Sequence, residues 1–278
     1  MFQIRIALTV GLLYIADSME ITVLIILTPA LQCAWSLSDL QKTLVSQVVF
    51  GGIAFGHLTS GVIADRYGRK KVVMMYGGVL TTLLVEYLPR ATRAKGILLL
   101  QFFYASGAVL VCCLAYLLME EWGWRWLLAV CASPSFLFIL LAFWLPESAR
   151  YYVGAHRLDL AMKELEAVAK QNSKPMIPGR LADTVPLAEE RGSFFDLFLP
   201  NLRTTTVLLL LTWIIGNLCY YGTTFLNAEI LTKLDGPEGA QPPILGNITF
   251  ETIWTQCGQL GTEDYVDLML TSAAELPG

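Results

Sequence analysis

Of the 278 residues, 55% are apolar and only 15% charged, and the mean hydropathy is +0.56. A water-soluble domain carries about 25% charged residues, so the composition points to a membrane protein. The net charge of −4 excludes little, but the basic residues are not interleaved with an aromatic platform, which argues against nucleic acid as a partner. Two histidines and six scattered cysteines show no metal-ligand spacing, and no Ser/His/Asp set or phosphate loop is present, so an enzyme is disfavoured.

A first membrane helix is expected from Ile4 to Leu27, too long for a signal-peptide core and without a cleavage site of small residues. It carries Asp17 and Glu20, three residues apart and therefore on one helix face. Acids inside a membrane helix face a protein interior or a wet cavity. A proton or cation site, or a counter-ion for substrate, is one reading; a hydrated structural pair near a cavity mouth is the other. Residues 29–42 read as a short loop. The second span runs from Thr43 to Ala64, with Gly52, Gly56 and Ser60 as a small-residue stripe open to close helix approach. His57 beside it reads as a packed neutral imidazole rather than a proton relay.

Residues 72–85 are apolar but only fourteen long, about 21 Å as a helix against a hydrocarbon core of about 30 Å. They read as a stub that does not span. Further spans are expected at 97–119 and 126–145, joined by a tryptophan-rich interfacial turn, with Pro134 as a kink. Residues 151–203 form a polar insert. Within it Leu158, Ala161, Leu165, Val168 and Ala169 recur at helical spacing, an amphipathic helix lying against the ends of the bundle. A proline-rich, charged linker follows from Asn172 to Gly192. The last span is 204–228, where Asn217, Tyr221 and Thr224 share a face. A polar tail, 229–278, carries eight acids and one Lys, with Asn247-Ile-Thr249 as a glycosylation sequon. With the amino terminus inside and the stub non-spanning, sixteen of the nineteen basic residues fall on the cytoplasmic side. The tail is then lumenal or extracellular. Cys33 and Cys257 fall in loops on that side, which leaves a disulfide between them open but unsupported.

Gly61-x-x-x-Asp65-Arg66-x-Gly68-Arg69-Lys70-Lys71 resembles the loop signature between helices two and three of major facilitator superfamily transporters. Glu86-x-x-Pro89-x-x-x-Arg93 resembles the signature after helix four in its sugar-porter-like branches, and Pro146-Glu147-Ser148-x-Arg150 the one after helix six. Residues 193–203 resemble the family's lead into helix seven, and Tyr220-Tyr221-Gly222 its aromatic pair. The first span, Ala16-Asp17-Ser18-Met19-Glu20 with Thr28-Pro29-Ala30-Leu31, looks like that of synaptic vesicle 2-related transporters. The resemblance implies an all-α integral membrane protein, a partial major facilitator fold with helices one, two, five, six and seven recognisable. Residues 1–150 would be a partial amino-terminal bundle. Helices three and four, roughly 40 residues by span length, are reduced to fourteen, as in an internally deleted or alternatively spliced form. The alternative is a short third span that inverts every later helix.

By the same resemblance, Asp65, Arg66, Arg69 and Lys70, between Gly61 and Gly68, would hold a cytoplasmic gate with Glu86/Arg93 and Glu147/Arg150. Asp17, Glu20, Asn217 and Tyr221 are the candidates for substrate or proton coupling. The implied function is secondary transport of a small organic ion or metabolite by alternating access, in a multi-pass protein of the plasma or a vesicle membrane. No cofactor is expected beyond a coupled proton or cation. The lipid bilayer and an unidentified small molecule are the expected partners, with self-association of the shortened bundle as a further one. The competing class is a non-transporting membrane protein that binds partners.

Overall fold

The computed structural model describes residues 2–76, 80–176, 179, 181, 194–234 and 261–276. Asn247, Cys257 and most of the linker before Phe194 lie outside the described residues. The described residues are helical throughout, in the order α1 (Phe2–Trp35), α2 (Asp39–Tyr67), α3 (Arg69–Tyr76), α4 (Leu80–Tyr87), α5 (Arg93–Leu118), α6 (Trp124–Cys131), α7 (Ser133–Ala142), α8 (Ala149–Gly154), α9 (Leu158–Gln171), α10 (Arg203–Leu234) and α11 (Thr262–Ala273). Five stretches among them are long and apolar enough to cross a membrane: Phe2–Gln32, Leu40–Tyr67, Arg90–Leu118, Trp124–Ala142 and Arg203–Asn227.

Helix α1 is the centre of the bundle and packs most heavily on α5. The two helices touch closely because Gly107 has no side chain: a Cβ there would come within 2.6 Å of the Ile15 carbonyl oxygen and 3.0 Å of Ser18. One turn earlier, Gly11 lies under the Phe103 ring. One apolar core joins Phe2, Ile6 and Val10 to Val72, Val73, Leu80, Leu83 and Leu84 of the short helices α3 and α4. A second core near the other end joins Met19, Val23 and Ile26 to Val111, Ala115 and Leu127. By contrast α2 and α10 present long apolar faces outward, with Phe55 68% and Leu218 71% exposed. In a membrane protein such faces meet lipid.

Several boundaries differ from the sequence reading. The first helix does not stop at Leu27: it runs through Pro29 to Trp35. A proline removes one main-chain donor and disturbs the turn before it. The turn survives because Thr28 Oγ1 donates to the Leu24 carbonyl at 2.6 Å and the following residues are held, Ala30 in the core and Leu31 against it. Helix α2 begins four residues early, at Asp39, where Ser38 and Gln41 form a reciprocal capping box. Pro134 splits the fourth span into α6 and α7, and Ser133 Oγ donates to the Val130 carbonyl at 2.7 Å at the break.

The carboxy-terminal segment also departs from its reading as a polar tail. Residues Thr262–Ala273 are a helix packed on α5, with Tyr265 and Leu268 buried in the second core. Tyr265, Leu268, Met269 and Ser272 recur at i, i+3, i+4 and i+7, the stripe of an amphipathic helix. Glu263 and Asp264 sit in its first turn, where the helix dipole favours negative charge.

Candidate functional site

The loop signatures meet at one end of the bundle. Gly68 ends α2 with φ +101°, a region that favours glycine. A Cβ there would also run into the Glu147 carboxylate. That carboxylate caps α3: Glu147 Oε1 accepts from the main-chain N–H of Arg69 at 2.7 Å and of Lys70 at 3.1 Å, and from Ser148 N–H at 2.9 Å. Ser148, fully buried, accepts from Tyr151 N–H to cap α8 and donates its own hydroxyl to Glu86. Arg69 then reaches the two other acids of the cluster, with Nη1 2.5 Å from Asp65 and Nε 3.9 Å from Glu86. Lys70 Nζ donates to the Phe143 carbonyl at 2.9 Å.

The ion pairs therefore differ from the sequence expectation. Glu86 lies against Arg69, while Arg93 donates to the Leu88 carbonyl at 3.3 Å. Glu147 is spent on main-chain N–H groups, and Arg150 is exposed and in no ion pair among the described residues. Gly61 faces open space, and Arg66 is exposed, its carbonyl accepting from Tyr151 Oη at 3.2 Å.

Helix α9 closes this end. Ala161 is buried, and Val168 packs on the first core. Asn172 just beyond the helix accepts from Phe2 N–H at 3.0 Å and donates to Gln3 at 3.1 Å, clasping the start of α1. Glu164 of α9 faces Glu147 and Lys70. Burial, then the Glu147 charge, push its carboxyl above the usual glutamate value, with Lys70 pulling the other way. Burial, then the Glu164 charge, likewise push the Tyr87 phenol up.

Deeper in the bundle lies a cavity of about 1230 Å³, walled by α1, α2, α5, α7 and α10. All four residues singled out for substrate or proton coupling, Asp17, Glu20, Asn217 and Tyr221, line it. Glu20 Oε1 accepts from Ser135 Oγ at 2.7 Å. Asp17 accepts no hydrogen bond among the described residues and is exposed to the cavity. His57 lines the same wall and is exposed, so it is not the packed imidazole expected from the sequence. Gly52 and Gly56 of the small-residue stripe form part of the wall, and no atom lies within 4 Å of a Cβ built on Gly52. The stripe makes room here rather than a helix contact.

Sequence reasoning missed half of the wall. Tyr104 and Gln101 of α5 line it, i and i+3 on one helix, a polar pair in an otherwise apolar span. Thr81 of the stub lines it too, 2.6 Å from Tyr14 Oη. So does Glu275, just past α11, which accepts from Tyr220 Oη at 3.1 Å. Charge and position along the chain gave no sign that the last residues return to the first cavity.

A family model described as "Sugar (and other) transporter" matches residues 76–249, more than half of the chain. Over 312 positions the whole chain is 36% identical to "Synaptic vesicle 2-related protein" of Pongo abelii, covering 56% of that protein. It is 35% identical to the protein of that name in Xenopus laevis, covering 56% of it. It is 33% identical to "Putative transporter svop-1" of Caenorhabditis elegans, covering 59%. The chain thus spans somewhat more than half the length of the curated relatives it matches. Taken with five membrane-length helices, these matches make it a multi-pass integral membrane protein. The chain belongs to the sugar (and other) transporter family of the major facilitator superfamily.

Proposed function

We propose that this chain forms one half of a secondary transporter for a small organic ion or polar metabolite, and that the α1–α2–α5–α7–α10 cavity is its half of the substrate path. The observation that carries the reading is the cavity itself, about 1230 Å³ with both acids of the central helix on its wall. Two carboxylates in a membrane helix are retained where they bind or couple, and Asp17 and Glu20 are assigned that role. Asn217 and Tyr221 are assigned to the substrate path opposite them.

The cluster of Asp65, Arg69, Glu86 and Glu147 is the cytoplasmic gate in this reading, on the side where the basic residues collect. Alternating access needs two halves rocking about a midplane site. Among the described residues α10 and the short α11 follow the insert, so these 278 residues by themselves are expected to bind substrate without accumulating it, unless a second copy supplies the other wall. The match to the Pongo protein supports internal shortening, since 312 aligned positions against 278 residues leave about 34 positions of the relative opposite gaps.

Two measurements test this. In a variant whose only cysteine is Gly52→Cys, a hydrophilic thiol reagent should label the cavity wall; reaction with lipophilic reagents alone would show that this face lies in lipid. After reconstitution, the chain should show no uptake driven by an ion gradient. Gradient-driven accumulation by a monodisperse monomer would overturn the half-transporter reading.

A further inference from the structure

The cavity's lining has a one-sided charge that says what it admits. Three carboxylates reach it from separate parts of the chain: Asp17 and Glu20 from α1 and Glu275 from beyond α11. The one basic side chain on its wall among the described residues is His57, and no Lys or Arg lines it. The acids are also differently engaged. Ser135 orients Glu20 and Tyr220 orients Glu275, whereas Asp17 accepts no hydrogen bond among the described residues and lines the space.

Aromatic faces supply the second half of the recognition. Tyr104 stands beside Tyr220 and Tyr221, whose rings meet edge to face at 5.1 Å, and Trp213 lies about two helical turns before them on α10. Rings held at different angles around a space present negative faces to a cation between them. An anion would meet three carboxylates with His57 alone to offset them. A neutral polyol would leave charge unpaired in a space walled largely by apolar groups.

We infer that the cavity selects an organic ammonium cation, bound with its charge between Asp17 and Glu275 and its alkyl groups against Tyr104, Tyr220, Tyr221 and Trp213. The inference rests on the cavity being the substrate path and narrows its substrate class. It gives α11 a purpose beyond packing, because the third carboxylate reaches the cavity only while that helix is docked on α5.

The test uses the whole 278-residue chain in mild detergent and equilibrium dialysis of radiolabelled tetraethylammonium. Choline, its neutral isostere 3,3-dimethylbutanol, glucose and benzoate serve as competitors. Saturable tetraethylammonium binding is expected, displaced by choline and by none of the other three. Asp17→Asn and Glu275→Gln should each weaken it about tenfold, the factor equivalent to 1.4 kcal/mol, while Asp17→Glu keeps most of the affinity. Both replaced acids are exposed, so the variants should remain monodisperse with the melting temperature of the parent. Displacement by dimethylbutanol, glucose or benzoate as effective as by choline would overturn the cation assignment and leave the cavity reading standing. Binding unchanged in both acid variants would likewise overturn it. If tetraethylammonium does not bind saturably, the inference falls, and labelling of Gly52→Cys decides separately whether the cavity reading falls with it.

Discussion

Replacing Glu147 by alanine should be the most damaging single change in the loop signatures, and Arg150→Ala, three residues along the same motif, among the least. The Glu147 carboxylate accepts main-chain N–H groups from Arg69, Lys70 and Ser148 at 2.7–3.2 Å. Loss of a helix cap costs about 1 kcal/mol. The other two donors are left unsatisfied in a half-buried site, each costing about 1 kcal/mol at the low end of the range, since water reaches part of the space. The sum is about 3 kcal/mol. At about 2–4 °C per kcal/mol for a chain near this size, the melting temperature should fall by about 6–12 °C. Glu147→Gln keeps an acceptor and loses the charge, so it should fall between alanine and the parent. Arg150 is exposed and in no ion pair among the described residues, and surface changes of that kind stay within about 0.5 kcal/mol. Thermal unfolding in one detergent, followed by tryptophan fluorescence, measures all three. Equal shifts for Glu147→Ala and Arg150→Ala would refute the assignment of Glu147 as the cap of α3.

Gly107→Ala should destabilise by about 1–3 kcal/mol, the usual cost of overpacking, because its Cβ meets the Ile15 carbonyl; Gly61→Ala, facing open space, should be neutral or slightly stabilising in the same melts. For Glu164, the carboxyl value is raised in the folded chain, so its protonated form favours docking of α9. That contribution is complete below the ordinary glutamate value and is lost as pH rises through the raised one. Hydrogen exchange of α9 amides, corrected for intrinsic rate, should therefore slow on acidification, and Glu164→Gln should abolish the trend. Asn247 should carry a glycosidase-sensitive glycan in glycosylating cells, while a tag at residue 160 stays inaccessible to antibody in intact cells; antibody binding without permeabilisation would reverse the orientation.

What was legible in the sequence follows from how strongly each signal is tied to local chemistry. The amphipathic spacing of α9 survived because half of its face is charged, so the pattern had contrast; Ala161 is buried and Lys163, Glu166 and Lys170 are exposed. Asp17 and Glu20 could be placed on one cavity face because helix geometry alone relates i to i+3. Helix ends were less legible. Pro29 reads as a stop, and only the Thr28 hydroxyl and the packing of Ala30 and Leu31 keep the helix going. The partners of Glu86 and Glu147 were illegible for a different reason. The family resemblance suggested Arg93 and Arg150, but the acids lie where α3, α4 and α8 converge, and that convergence is a tertiary fact. The same holds for Glu275, whose acidic neighbours made the segment look like a solvated tail.

The α1–α5 contact supports the reading of the half-length apolar stretch after Lys71 as one that does not span. Gly11 meets Phe103 and Ile15 meets Gly107, so positions four apart on one helix face positions four apart, in the same order, on the other. The two helices are parallel. In a bundle of spanning helices, parallel neighbours must have an odd number of crossings between them. Helix α2 supplies one return, so the chain must enter α5 from the end at which it left α2. Helices α3 and α4, of eight residues each, are about 12 Å long and cannot carry the chain across. The 3.9 Å approach of Arg69 to Glu86, and the edge-to-face contact of Phe2 with Tyr87 at 5.0 Å, hold both ends of that stretch beside the start of α1. A stretch too short to span thus performs the topological work of a helix pair, beginning and ending on one side. Its buried leucines fill the core at that end, and its Thr81 reaches the cavity wall.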